Sequence, residues 1–114
     1  MSSFVHLHVH TSYSFLDGTD FPQDLVRKAA ELGMPALAMT DHNYVSGAVD
    51  FHKAAVAAGI KPITGVEITL TTKHHLTLLA QNPKGYANIC RLLTEAHLTS
   101  ARREPLVAPQ LLEK

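Results

Sequence analysis

Residues 4–9, FVHLHV, alternate apolar and polar positions and are rich in β-branched and aromatic types, the period of a half-buried strand. Val5, Leu7 and Val9 fall on one face, and His6, His8 and His10 on the other. The pattern then lengthens to a helical one. Asp20 is placed to cap a helix that takes Pro22 in its first turn, buries Leu25, Val26, Ala29, Ala30 and Leu32, and stops at Gly33. Residues 35–40, PALAMT, form a short unbroken apolar run before the polar Asp41, His42 and Asn43, which suits a strand covered on both faces. A second helix is predicted from about Ser46 to Ala58, ending at Gly59, with Ala48, Val49, His52, Ala55 and Val56 facing in.

Residues 61–70 read as a third strand, in which Gly65 marks a bulge or a close backbone approach. Residues 75–80 read as a fourth, Asn82-Pro83-Lys84-Gly85 as a turn, and about Tyr86 to Leu98 as a third helix with Ile89, Cys90, Leu93 and Ala96 inward. The last stretch, ARREPLVAPQLLEK, has two prolines and no period, so a fraying end is expected. Strands alternating with helices predict an α/β fold built on a parallel sheet, doubly wound or closed as a barrel.

Composition narrows this to one domain. At 114 residues the chain has room for a single modest core. Ten basic and ten acidic side chains cancel, which removes the broad positive surface of a free-standing nucleic-acid binder. One cysteine, Cys90, excludes an intrachain disulfide and suits a reducing, cytoplasmic setting. No apolar run approaches the roughly 20 residues of a membrane span.

The anomaly is histidine. Eight of the 114 residues are histidine, and five of them lie at positions 6, 8, 10, 42 and 52. In α/β sheets sites collect at the carboxyl ends of strands. His8 and His10 end the first predicted strand, Asp41 and His42 end the second, and Glu67 lies inside the third. Imidazole with carboxylate ligation suits Zn, Mn or Fe better than the all-oxygen shells of Mg or Ca. Neighbouring ions of that kind can activate water against a phosphate ester, which points to phosphoester hydrolysis.

The alternatives differ from residue to residue. Asp17 precedes Gly18 in what is also an ordinary turn signal, Asp41 can equally cap the following turn, and His6 reads as a deeper, satisfied core histidine. His52 and His97 sit on helices and read as rim residues. Were residues 71–73 a tight hairpin, His75 would pair with the far end of the third strand, several residues from Glu67. A carboxylate inside an apolar strand needs a partner, because burying it alone costs several kcal/mol.

Four segments, HLHVHTSYSFLDG, MPALAMTDHNYVSGAVDF, AGIKPITGVE and HLTLLAQNPKGYANICRLLTEA, together resemble the polymerase and histidinol phosphatase (PHP) domain family. The fourth, with Gly85, Tyr86 and Asn88, is similar to the branch found at the N-terminus of bacterial DNA polymerase III alpha subunits. The resemblance implies the N-terminal portion of a distorted (β/α)7 barrel, with about four strands and three helices here, and a centre of up to three divalent metals. It implies His8, His10, Asp17, His42, Glu67 and His75 as metal ligands. Asp41 and Glu67 are expected to be the catalytic carboxylates. The implied activity is of a metal-dependent phosphoesterase or 3′ to 5′ exonuclease type within a DNA polymerase, partnered by DNA and the other replicase subunits.

A free-standing phosphoesterase acting on small phosphates and a catalytically silent structural module are the competing readings. The later motifs of the family have no counterpart before Lys114, so the chain is expected to be a fragment, inactive when isolated and prone to self-association through open sheet edges.

Overall fold

The computed structural model describes residues 4–14, 18, 20–100 and 105–113. Its sheet has three strands, β1 (Ala36–His42), β2 (Lys61–Thr69) and β3 (His75–Leu79), in the order β1-β2-β3. β1 and β2 are parallel, with His42 opposite Glu67, and β3 returns antiparallel to β2, with Thr69 opposite His75. Helices α1 (Pro22–Glu31) and α2 (Ala48–Ala57) precede and follow β1, and α3 (Pro83–Thr99) follows β3.

The strand expected over residues 4–9 lies beside β1 without forming a ladder. The carbonyls of His6 and Val9 accept from the amides of Ala38 and Thr40. Three residues on one side therefore span two on the other, and the mismatch breaks regular pairing. His6 is exposed rather than a core histidine, its ring set edge-on against Phe4.

Alternation divides the sheet into two faces, and the register puts Leu37, Met39, Val66 and Ile68 on the same one, which the helices cover. Leu37 and Met39 of β1 pack with Val26 and Ala29 of α1 and with Ala48, Phe51 and Ala55 of α2. Val66 and Ile68 of β2 pack with Ile89, Leu93 and Ala96 of α3. Phe51 is buried, whereas Val49 and Val56, expected inward, are exposed. The helix that starts at Ala48 carries its stripe at Ala48, Phe51 and Ala55, and both valines fall beside it.

The helix starts also differ from expectation. Pro22 opens α1, so the carbonyl of Phe21 accepts its first bonds, while Asp20 instead accepts from the amide of Ser12. Asn82-Pro83-Lys84-Gly85 is the first turn of α3 rather than a separate turn: the Asn82 side chain accepts from the Gly85 amide at 2.8 Å, and proline suits the position after the cap. The described part of the expected fraying end, residues 105–113, docks instead; residues 101–104 and 114 lie outside the described residues. Val107 is fully buried, bridges to Leu70 and exchanges backbone bonds with Thr69 and Thr71 before a short 3-10 helix, Pro109–Glu113. Gly65 marks a close approach, since a Cβ there would lie 2.3 Å from the Leu78 carbonyl oxygen.

Candidate metal centre

Glu67 lies near the carboxyl end of β2, on the face that carries His42 of β1 and Thr69 of β2. Its carboxylate is buried, and four imidazoles surround it. His8 Nε2 contacts Oε1, His10 Nε2 lies 3.3 Å from the same oxygen, and His42 Nδ1 and His75 Nδ1 lie 2.8 and 3.0 Å from Oε2. The rings crowd one another, with the His10 and His42 centroids 4.1 Å apart.

Burial alone would push the Glu67 carboxyl upward. The bond to His8 and the charges of His42, His10 and His8 outweigh it and hold the group below its ordinary range.

The ligand atoms sort into two groups of three that share Glu67: His8, His10 and Glu67, and His42, Glu67 and His75. Each group offers two imidazole nitrogens and a carboxylate oxygen, a donor set suited to a divalent transition metal. A carboxylate with one oxygen turned to each group is the arrangement that bridges neighbouring ions. Among the described residues two such groups are present; Asp17, expected as a further ligand, lies outside the described residues.

His75 reaches the cluster because its hairpin is tight. Thr69 is opposite His75, so His75 is a diagonal neighbour of Glu67 on the same face, and diagonal partners are within reach of long side chains. The expected separation of several residues was the wrong measure.

Asp41, expected as a catalytic carboxylate, is not brought into this cluster. One residue before His42, it falls on the helix-covered face. It is completely buried. One oxygen accepts from the Thr11 amide at 2.6 Å and the Ser14 hydroxyl at 2.7 Å, and the other from the Thr11 hydroxyl at 2.9 Å. Ser14 Oγ in turn accepts from the His42 amide at 3.0 Å. Asp41 thus ties the loop after His10 to the end of β1.

Sequence reasoning missed three further residues beside the cluster: Asn43, Thr69 and His97. The Asn43 side chain pairs with Thr69, and His97 of α3 donates to the Asn43 carbonyl at 2.8 Å. The available signal was an asparagine directly after a strand-end ligand, since asparagine tolerates the left-handed backbone found there.

An α/β sheet that gathers histidines and a bridging carboxylate at its strand ends defines a candidate metallohydrolase centre. The chain belongs to the PHP domain family, whose model matches residues 6–114. It is 60% identical over 107 residues to an error-prone DNA polymerase of Symbiobacterium thermophilum, covering 94% of this chain and 10% of the relative. It is 44% identical over 103 residues to a DNA polymerase III subunit alpha of Buchnera aphidicola, covering 85% of this chain and 9% of the relative. The chain thus spans about a tenth of these curated relatives.

Among solved structures, an amidohydrolase from Chromobacterium violaceum, determined with bound sulfate and no metal, matches with a TM-score of 0.68 at 27% identity, covering 82% of this chain and 33% of that one. A protein inferred to be a metal-dependent phosphoesterase, from Bifidobacterium adolescentis, matches with a TM-score of 0.67 at 27% identity, covering 86% and 34%. No described helix is long and apolar enough to cross a membrane.

Proposed function

We propose that this chain is the N-terminal part of the PHP domain of a replicative or error-prone DNA polymerase of the DNA polymerase III alpha type, and that its site acts on phosphodiesters as a 3′ to 5′ exonuclease. The observation that carries the chemistry is Glu67, buried among four imidazoles and shared by two ligand groups. The polymerase context rests on the relatives at 60% and 44% identity.

In this reading His8, His10 and Glu67 hold one divalent ion and His42, Glu67 and His75 a second, with Asp17 contributing to a centre of up to three Zn, Mn or Fe ions. Bound metals would supply Lewis-acid stabilisation of phosphoryl oxygens and lower the pKa of water. The chain's own residues orient that centre. Glu67, fixed in a ladder between two strands, sets the spacing of the two groups, while Asp41 acts as a positioning group through Thr11 and Ser14. DNA and the other replicase subunits are the partners, and the cytoplasm is the location. Alone, the 114 residues bind metal without hydrolysis and self-associate through the outer edge of β3.

A second reading, a phosphoesterase for small phosphate esters, is favoured by the likeness to the Bifidobacterium protein. One experiment separates the two. The native gene product containing this sequence is captured with antibody to the chain, sized, and assayed with Mn2+ on a 5′-labelled oligonucleotide and on p-nitrophenyl phosphate. A product many times larger than 12.4 kDa that shortens the oligonucleotide from its 3′ end, and loses this with His8→Ala and His10→Ala, supports the proposal. A small product active only on p-nitrophenyl phosphate supports the second reading. A large product in which the double substitution leaves oligonucleotide shortening unchanged overturns the site.

A further inference from the structure

The two ligand groups share Glu67 but are held by different parts of the chain. His8 and His10 lie on the segment pinned to β1 by the bonds of Val9 to Thr40 and of Thr11 to Asp41. The group of His42, Glu67 and His75 is tied at a different point.

Asn43 follows His42 with φ of +55°, a left-handed conformation uncommon outside glycine. Its amide donates to the Glu67 carbonyl at 2.9 Å. Its side-chain Oδ1 accepts from the Thr69 amide at 2.9 Å, and its Nδ2 donates to Thr69 Oγ1 at 3.2 Å. Its carbonyl accepts from His97 Nε2 at 2.8 Å, and the His97 ring rests on Tyr44 with centroids 4.5 Å apart. Thr69 is the register partner of His75. One residue therefore adjoins His42, bonds the main chain of Glu67 and brackets Thr69, the β2 residue that pairs with His75.

We infer that Asn43 is the positioning residue for the metal position formed by His42, Glu67 and His75, braced from α3 by His97, and that it leaves the His8, His10, Glu67 position largely untouched. The inference rests on the metal reading proposed above. Groups that orient metal ligands from outside are typically worth 10- to 100-fold in metal affinity. Here the effect is expected at one of two positions, because apart from the shared Glu67 Asn43 adjoins His42 and brackets the partner of His75, and none of its bonds runs to the segment of His8 and His10.

The test uses the chain stripped of metal and titrated with Mn2+, read by equilibrium dialysis and electron paramagnetic resonance. Wild type is expected to take up two ions with an exchange-coupled spectrum, since both would lie against one carboxylate. Asn43→Gly keeps the left-handed backbone and removes the bracket. It is expected to weaken one ion at least tenfold while the other is retained, replacing the coupled signal with the six lines of an isolated ion at unchanged circular dichroism. His97→Ala is expected to weaken the same ion severalfold, and His97→Gln, whose amide keeps a donor near Nε2, to restore it.

Equal weakening of both ions in Asn43→Gly, or no weakening, overturns the inference and leaves the metal reading standing. Absence of Mn2+ binding by wild type overturns the metal reading and the inference with it. Should Asn43→Gly fail to fold, indistinguishable binding by wild type, His97→Ala and His97→Gln overturns the bracing role, and selective recovery with His97→Gln supports it.

Discussion

Two buried carboxylates stand almost side by side on adjacent strands and have opposite fates. Asp41 pairs in register with Val66, and Glu67 with His42, so a step of one residue puts them on opposite faces of the sheet. Asp41 meets hydroxyls and an amide, Thr11 and Ser14, and its oxygens are occupied by bonds that hold a loop. Glu67 meets four imidazoles, groups that are themselves metal ligands. Burial by itself therefore does not mark a functional carboxylate; the chemistry of the surrounding donors does.

The difference can be broken from either side. The largest effect is expected at Glu67: Glu67→Ala removes a ligand from both groups, and metal retained after gel filtration should fall from two ions per chain to below one, measured by plasma emission spectroscopy. Asp41→Ala should act on folding instead. It leaves the Thr11 amide and two hydroxyls without their buried acceptor, at a cost of about 3 kcal/mol in a urea unfolding curve. Retention of metal by the folded fraction would keep the two carboxylates distinct, whereas a loss equal to that of Glu67→Ala would merge their roles.

Gly65→Ala sharpens the contrast from the backbone. A Cβ at that point meets the Leu78 carbonyl oxygen and the Leu79 side chain between β2 and β3, and should cost about 2 kcal/mol by the same curve. The smallest effect is on pH dependence. Glu67 is held below the ordinary carboxylate value of 4.5, so it stabilises the metal-free fold above that value and loses this contribution as pH falls through its folded pKa. Unfolding midpoints of the metal-free chain should drop more steeply below about pH 4.5 for wild type than for Glu67→Gln. Parallel profiles would remove the electrostatic account of the cluster.

Much of this was legible because it is periodic or punctuated. The helix ends at Gly33 and Gly59, both with φ of +75°, and the strand cores follow from glycine punctuation and apolar runs. His8, His10, His42 and Glu67 could be grouped because strand ends converge in α/β sheets. What the sequence hid depends on register. Whether Asp41 or His42 faces the cluster turns on a single residue, and the nearness of His75 to Glu67 turns on a diagonal contact across a hairpin. The irregular start of the chain was hidden for the same reason, since alternation over residues 4–9 cannot reveal that three residues must span two. Docking of Val107 against the end of β2 is a tertiary contact with no local signature.

The most direct measurement is an anomalous difference map, collected at the zinc edge from crystals of the chain grown with Zn2+. Two peaks flanking Glu67 are expected, one within about 2.1 Å of nitrogens of His8 and His10 and the other within about 2.1 Å of nitrogens of His42 and His75. No peak beside Glu67, or a single peak bound by only one of the two groups at full occupancy, would contradict this arrangement.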